Sequence, residues 1–279
     1  MLIKLIPGVS RDAALQGLQQ AAIDLQNTYA LRDRRYEAYC EWANNAVRQL
    51  RHVIRTDDLE ALVLTQRYWV LQSLAALAGT PVVNDLLDME VEERKRVIED
   101  TVTELREQVR HWSRSGTFVV PDTSVFIKHP QKFRDWDLSA ELKTAELDIH
   151  VLVPIIVVDE LDRLKDSRDK HVRWRAAHTL GVLDEALGTA ATSGQLVAGD
   201  PFARRGNVTV EVVLDPPRHV RLPIPDDEII DRALAIQAIA SHTVTLLTFD
   251  TGQSTRARQA GLPVRKLNMP DEPEPPAKC

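Results

Sequence analysis

The spacing of apolar residues changes period near the middle of the chain. From Ser10 to about Trp112 the pattern is helical throughout. Leu18, Ala22, Leu25, Tyr29, Arg32, Tyr36, Tyr39, Ala43, Ala46, Leu50 and Val53 alternate steps of four and three, a heptad seam with one arginine interruption. That spacing predicts a long helix packed along another, within a hairpin or between two chains. Thr56-Asp57-Asp58 reads as a cap and acidic first turn for a second helix carrying Leu59, Leu62 and Trp69. Gly79-Thr80-Pro81 stops it. Asn84 starts a third helix, with Leu87, Val91, Ile98, Val102, Leu105, Val109 and Trp112 inward. This half holds no cluster of potential ligands, so a helical bundle or coiled-coil hairpin for packing or association is expected.

Ser113-Arg114-Ser115-Gly116 is the expected junction. Beyond it, short apolar runs alternate with helical patterns, as βαβ units and a parallel sheet require. Strands are predicted near 117–121, 151–157, 244–249 and 263–267, and helices over 138–148, 159–188, 227–241 and 252–260. A hairpin or extension is predicted at 207–222, where Val208, Val210, Val212 and Val213 precede Asp215-Pro216-Pro217. The expected organisation is a helical domain over 1–115, an α/β domain over 116–268, and a disordered Pro- and Glu-rich tail over 269–279.

Carboxylates punctuate the second half. Asp122 follows Val119-Val120-Pro121, Glu160 follows the run Val151–Val158, Asp226 and Asp227 open a helical pattern that carries Asp231, and Asp250 follows Val244–Phe249. Each alone has a structural explanation as a helix cap or a first-turn charge. Together they suggest more, because the carboxyl ends of parallel strands border the ligand crevice of an open α/β sheet. Clustered carboxylates raise one another's pKa unless a cation neutralises them. A hard ion such as Mg²⁺ or Mn²⁺ takes oxygen ligands and keeps water for chemistry.

Bulk properties narrow the classes. The chain has 279 residues and a net charge of −6, which argues against a wholly basic nucleic-acid-coating surface. Its two cysteines, Cys40 and Cys279, imply neither a disulfide framework nor a cysteine zinc site. The apolar run at the N-terminus is too short for a signal peptide, and no stretch is long enough to span a bilayer, so a cytoplasmic protein without membrane contact is expected. One dense basic stretch adjoins Glu160: Arg163, Lys165, Arg168, Lys170, His171, Arg173, Arg175 and His178. It would grip phosphates, with Arg163, Lys165 and Arg173 the leading candidates. Trp174 could stack a base, but a place in the core is the expectation.

The order of the motifs resembles the PIN-domain nuclease family. The matching pieces are Val120-Pro121-Asp122-Thr123-Ser124-Val125, Val157-Val158-Asp159-Glu160-Leu161-Asp162-Arg163-Leu164-Lys165, Pro225-Asp226-Asp227-Glu228-Ile229-Ile230 and Leu247-Thr248-Phe249-Asp250-Thr251. The second piece and the segment before Asp227 look most like the larger PIN domains fused to PhoH-type ATPases, although no phosphate-binding Gly-x-x-x-x-Gly-Lys-Ser/Thr loop occurs here.

The resemblance implies a three-layer α/β/α sandwich around a mainly parallel sheet, binding Mg²⁺ or Mn²⁺ and hydrolysing phosphodiester bonds, usually of RNA. Carried over by position, Asp122, Glu160, Asp227 and Asp250 match the family's four acids; Asp226 is the alternative in the third place, with Asp227 preferred because Ile230 and Leu234 then form the apolar face that docks its helix. Asp231, one turn after Asp227, is an auxiliary metal ligand on this reading. Thr123, Ser124 and Thr248 are candidates to bond a ligand carboxylate or the scissile phosphate. The expected activity is endonucleolytic cleavage of single-stranded RNA. The alternatives are a catalytically weak scaffold that binds RNA or protein, and a structure-specific DNA nuclease. The helical half is the candidate surface for a homodimer or a protein partner.

Overall fold

Burial of one apolar stripe per helix organises the first part of the chain, and burial of strands on both faces organises the second. The structure is a computed structural model, and it describes all residues except 1, 2, 7, 29–33, 145, 190–192, 201, 218, 241 and 269–279. The tail expected to be disordered, and the seam positions Tyr29 and Arg32, lie outside the described residues. The chain divides into two units, Met1–Ser113 and Arg114–Cys279.

The first unit contains α1 (Arg11–Thr28), α2 (Arg35–Leu50), α3 (Thr56–Leu62), α4 (Gln66–Ser73) and α5 (Pro81–His111). The seam predicted as one long helix is carried by two, α1 and α2, yet its residues Leu18, Leu25, Tyr39, Ala43, Ala46 and Leu50 are buried as the period requires. Trp42 Nε1 donates to the Ala21 carbonyl at 2.8 Å and ties the two helices together. The second predicted helix is also two, α3 and α4, and Trp69 is exposed rather than packed inward. α5 begins three residues earlier than predicted, because Pro81 suits the first turn, where an amide proton has no partner anyway. Inside this unit Glu90 is fully buried. It accepts from Tyr39 Oη, Thr65 Oγ1 and Arg67 Nη1, and lies 3.3 Å from Arg94 Nε. A buried charge held this way is an internal tether, not a ligand site.

The second unit is a six-stranded sheet with flanking helices. In chain order come β1 (Thr117–Pro121), α6 (Thr123–Lys128), α7 (Leu138–Leu142), β2 (Ile149–Pro154), α8 (Ile155–Leu164), α9 (Lys170–Leu187), β3 (Ser193–Val197), β4 (Val208–Val213), α10 (Pro225–Ile239), β5 (Val244–Thr248), α11 (Thr251–Gln259) and β6 (Val264–Lys266). The strand order is β3-β4-β2-β1-β5-β6, with only β3 antiparallel to its neighbour. Every residue of β2 is buried, as expected of a strand covered on both faces.

Three expectations change here. The strand expected to reach 157 stops at Pro154, and Ile155 already begins α8. Ile156, Val157 and Leu161 then share one buried helical face, so packing overrides the β preference of the branched run. The single helix expected over 159–188 is two, α8 and α9, divided at Lys165–Asp169. The hairpin or extension expected at 207–222 holds one strand, β4, parallel to β2, followed by a strap over 214–217 and 219–224.

Arg175 fixes the segment that leaves α6. Expected among the phosphate-gripping residues, it is instead buried, and it donates to the carbonyls of Phe126, His129 and Gln131 at 3.1, 2.7 and 2.7 Å. Arg175→Ala strands these carbonyls. It should destabilise the protein by about 2–4 kcal/mol, the scale of lost hydrogen bonds to a buried charge. Urea unfolding would show a lower midpoint at unchanged m value. An unchanged midpoint would contradict this role.

Candidate active site

The sheet reverses direction at β1. From β1 the chain steps to β2 and β4 on one side, then returns to β5 on the other. The connections leaving β1 and β5 therefore diverge, and they open a crevice at the carboxyl ends of these two strands. Asp122 and Asp250 stand at those ends, and Asp122 N donates to the Leu247 carbonyl at 3.0 Å. A cleft of about 400 Å³ at this point is lined by Asp122, Thr123, Ser124, Glu160, Arg163, Leu164, Asp226 and Asp250.

Asp122 is the most constrained of the acids, at 4% exposure. Its Oδ1 accepts from Ser124 Oγ at 2.6 Å and from Val125 N at 3.0 Å, capping α6, while Oδ2 accepts from Thr248 Oγ1 at 2.7 Å. Thr248 Oγ1 in turn accepts from Asp250 N at 2.9 Å, so one hydroxyl links the first and last acids of the site. Asp250 caps α11 by accepting from Gln253 N at 2.7 Å. Glu160 lies inside α8 rather than at a strand end, and its Oε2 accepts from Thr123 Oγ1 at 2.5 Å. Thr123, Ser124 and Thr248 thus hold carboxylates in place, instead of standing free for a phosphate.

The third acid differs from the sequence assignment by one residue. Ile230 and Leu234 were expected to dock this helix; Ile230 is buried but Leu234 is only half-buried, and the buried face is centred on Ile229, Ala233, Ile236 and Ile239. With the helix docked in this way, Asp226 lines the cleft. Asp227 pairs with Arg256 Nε at 3.0 Å, and Asp231 pairs with Arg232. Neither lines the cleft. The structure therefore brings together Asp122, Glu160, Asp226 and Asp250. The sequence left Asp226 and Asp227 as alternatives with Asp227 preferred, since apolar spacing could not fix the rotation of their helix.

Of the basic candidates, Arg163 reaches the cleft. Lys165 pairs with Asp162 at 2.6 Å, and Arg173 donates to the Ser167 carbonyl at 3.0 Å. Trp174, expected in the core, is 48% exposed and stacks on His178 at a 5.1 Å centroid distance, with Lys132 Nζ over its ring at 5.6 Å. Another group of ligand-type side chains, Asp215, His219 and Glu228, went unremarked in the sequence because its members come from the strap and α10. Its charges already have cations beside them. Arg232 Nε lies 3.3 Å from Glu228, and Arg221 donates to Asp215 at 2.6 Å and to Asp159 at 2.6 Å. Glu228 also accepts from Leu222 N, so the cluster fastens the strap to the N-terminal turns of α10.

A crevice ringed by acids at the reversal point of a parallel sheet is a ligand site of the α/β class. The chain belongs to the PIN domain family, whose model matches residues 119–268, more than half of its length. PIN domains are generally nucleases and usually use divalent metals. A search of the curated proteins returns no match. Among solved structures, a domain of a functionally unknown protein from Methanocaldococcus jannaschii DSM 2661 aligns over 58% of this chain and 99% of its own, with 17% identity and a TM-score of 0.35.

The donor set fits a hard divalent ion, since the cleft's acids offer only oxygen. Burial pushes the Asp122 carboxyl up to about 6, and the charge on Asp226 adds to the push. The bonds from Ser124, Thr248 and Val125 pull the other way without restoring an ordinary value. Asp226 is likewise raised by burial; Arg256 lowers it and the charge on Asp250 raises it. A cation among these groups would relieve both.

The pH consequence for the metal-free protein comes from Asp122. Its folded carboxyl titrates near 6 against an ordinary 3.8. The stabilisation from its retained proton is complete below about pH 4 and lost as pH rises through 6. Asp122→Asn mimics the protonated form, so in EDTA at pH 7 it should raise Tm by on the order of a few degrees. The advantage should vanish below about pH 4, as thermal unfolding across pH would show. An equal Tm at pH 7 would contradict the strain assigned to this carboxylate.

Proposed function

We propose that the protein is a Mg²⁺- or Mn²⁺-dependent ribonuclease that hydrolyses phosphodiester bonds of single-stranded RNA endonucleolytically. The observation that carries this reading is the convergence of Asp122, Glu160, Asp226 and Asp250 on one cleft at the sheet's reversal point. These four residues would hold the ion. Bound there, such an ion would lower the pKa of a coordinated water, easing its deprotonation, and would supply positive charge to stabilise the leaving oxygen. Thr248, Ser124 and Thr123 fix the carboxylate rotamers, which keeps the acids preorganised. Glu160, held through one oxygen by Thr123, keeps its other oxygen for orienting or deprotonating a water.

Arg163 at the cleft edge is the proposed phosphate contact, and the exposed Trp174 is the proposed base platform. We assign partner binding, by a second copy or another protein, to the helical unit. Trp69, Val70, Leu77, Val82 and Met89 expose large apolar side chains there. No helix among the described residues is long and apolar enough to cross a membrane.

Purified protein with Mn²⁺ should cleave labelled single-stranded RNA and stop on addition of EDTA. Asp226→Asn should lower the rate by roughly 100-fold or more, since groups that merely orient metal ligands are worth about 10–100-fold. Asp227→Asn should stay within a few-fold of wild type. Cleavage that survives Asp226→Asn but not Asp227→Asn would return the third ligand to Asp227. Intact RNA throughout, with cleavage of flap or single-stranded DNA, would favour a DNA nuclease.

A further inference from the structure

A cation of the chain's own already sits among the acids. Arg256, on α11, directs Nη2 to Asp226 Oδ2 at 2.5 Å and Nε to Asp227 Oδ1 at 3.0 Å. It also approaches the Asp250 side of the cleft. A Cβ added at Gly252 would lie 3.1 Å from Asp250 Oδ1 and 3.9 Å from Arg256 Nη1, so both groups border the same small space. The Arg256 side chain is 42% exposed, and the Asp226 and Asp227 side chains it bridges are 41% and 35% exposed. The contact is therefore a rim contact, which water can reach and a competitor can displace.

Two positive charges cannot share one carboxylate without repulsion, and a guanidinium released at this rim would match a phosphate in both shape and charge. We propose that Arg256 is an exchangeable counter-ion. It neutralises Asp226 in the metal-free protein, is displaced from that carboxylate when a divalent ion binds, and then contacts a phosphate of the RNA strand. The Asp227 contact at 3.0 Å gives the guanidinium a second hold, so it pivots about Asp227 instead of swinging free. Asp227 thereby gains a role although it lines no part of the cleft. It stations the arginine, while Asp226 is the site the arginine leaves. The inference rests on the proposed reading of the four acids as a cation site.

The test is a calorimetric titration of the full chain with Mn²⁺, comparing wild type with Arg256→Ala and Arg258→Ala. Arg258 lies on the same helix, is also exposed, and controls for a general loss of positive charge. Circular dichroism would check that each variant is folded. Arg256→Ala should bind Mn²⁺ about two- to fivefold tighter, the fold-change corresponding to an exposed ion pair that no longer has to break. Arg258→Ala should leave the affinity within error.

With Ca²⁺ in place of Mn²⁺, anisotropy of a fluorescein-labelled single-stranded RNA should show weaker binding by Arg256→Ala. Arg256→Lys should recover part of it. Equal tightening in both alanine variants would reduce the effect to bulk charge and overturn the exchange. Unchanged or weaker Mn²⁺ binding by Arg256→Ala would overturn it directly, and unchanged RNA binding would remove the phosphate role. A wild-type chain that binds no Mn²⁺ would instead overturn the reading of the acids, and the exchange with it.

Discussion

The architecture of the site depends on one buried carboxylate. Asp122 ends β1, caps α6 and receives the Thr248 hydroxyl from the end of β5, so three elements meet on its two oxygens. The bonds hold it in one rotamer, and burial resists its charge, leaving a carboxyl that titrates near 6. Fully hydrogen-bonded yet uncompensated in charge, it differs from Glu90 and Glu228, which are equally buried but have arginines beside them. That contrast separates a group prepared for an added cation from groups that merely tie the fold together.

Structural and functional readings of the same acids prove compatible. Asp122 and Asp250 are helix caps as well as cleft residues, because a strand running directly into a helix places its linking residue at both the amide-rich helix start and the crevice edge. The cap fixes the backbone and one carboxylate oxygen, and the other oxygen is set by what faces it. This economy explains why each acid alone looked ordinary in the sequence while their order did not.

How much was legible depends on how local each signal is. β1, β2 and β5 are largely apolar runs in the core of the sheet, so their existence, the extent of β1 and β5 and the acids that come after those two could be read directly. The start of α8 could not, because Ile155-Ile156-Val157-Val158 has strand composition and becomes helical only through packing after Pro154. β3 was missed altogether. It buries a single side chain, Leu196, and Gly194 leaves room for the Ala186 carbonyl, which a Cβ there would meet at 1.7 Å. On α9 the usual polarity is reversed: Arg175 is buried by three carbonyls while Trp174 faces outward. The one-residue offset between Asp226 and Asp227 is of the same kind. Tertiary docking sets helix rotation, and two adjacent aspartates give no local clue to it.

The central claim is that Asp122, Glu160, Asp226 and Asp250 form one cation site. The most direct measurement is an anomalous difference map from crystals soaked in Mn²⁺. The account predicts a peak in the cleft within ligand distance, roughly 2 Å, of oxygens from at least two of these residues, with Arg256 drawn off Asp226. A peak at Asp215, His219 and Glu228 instead, or none at either place at saturating Mn²⁺, would contradict it.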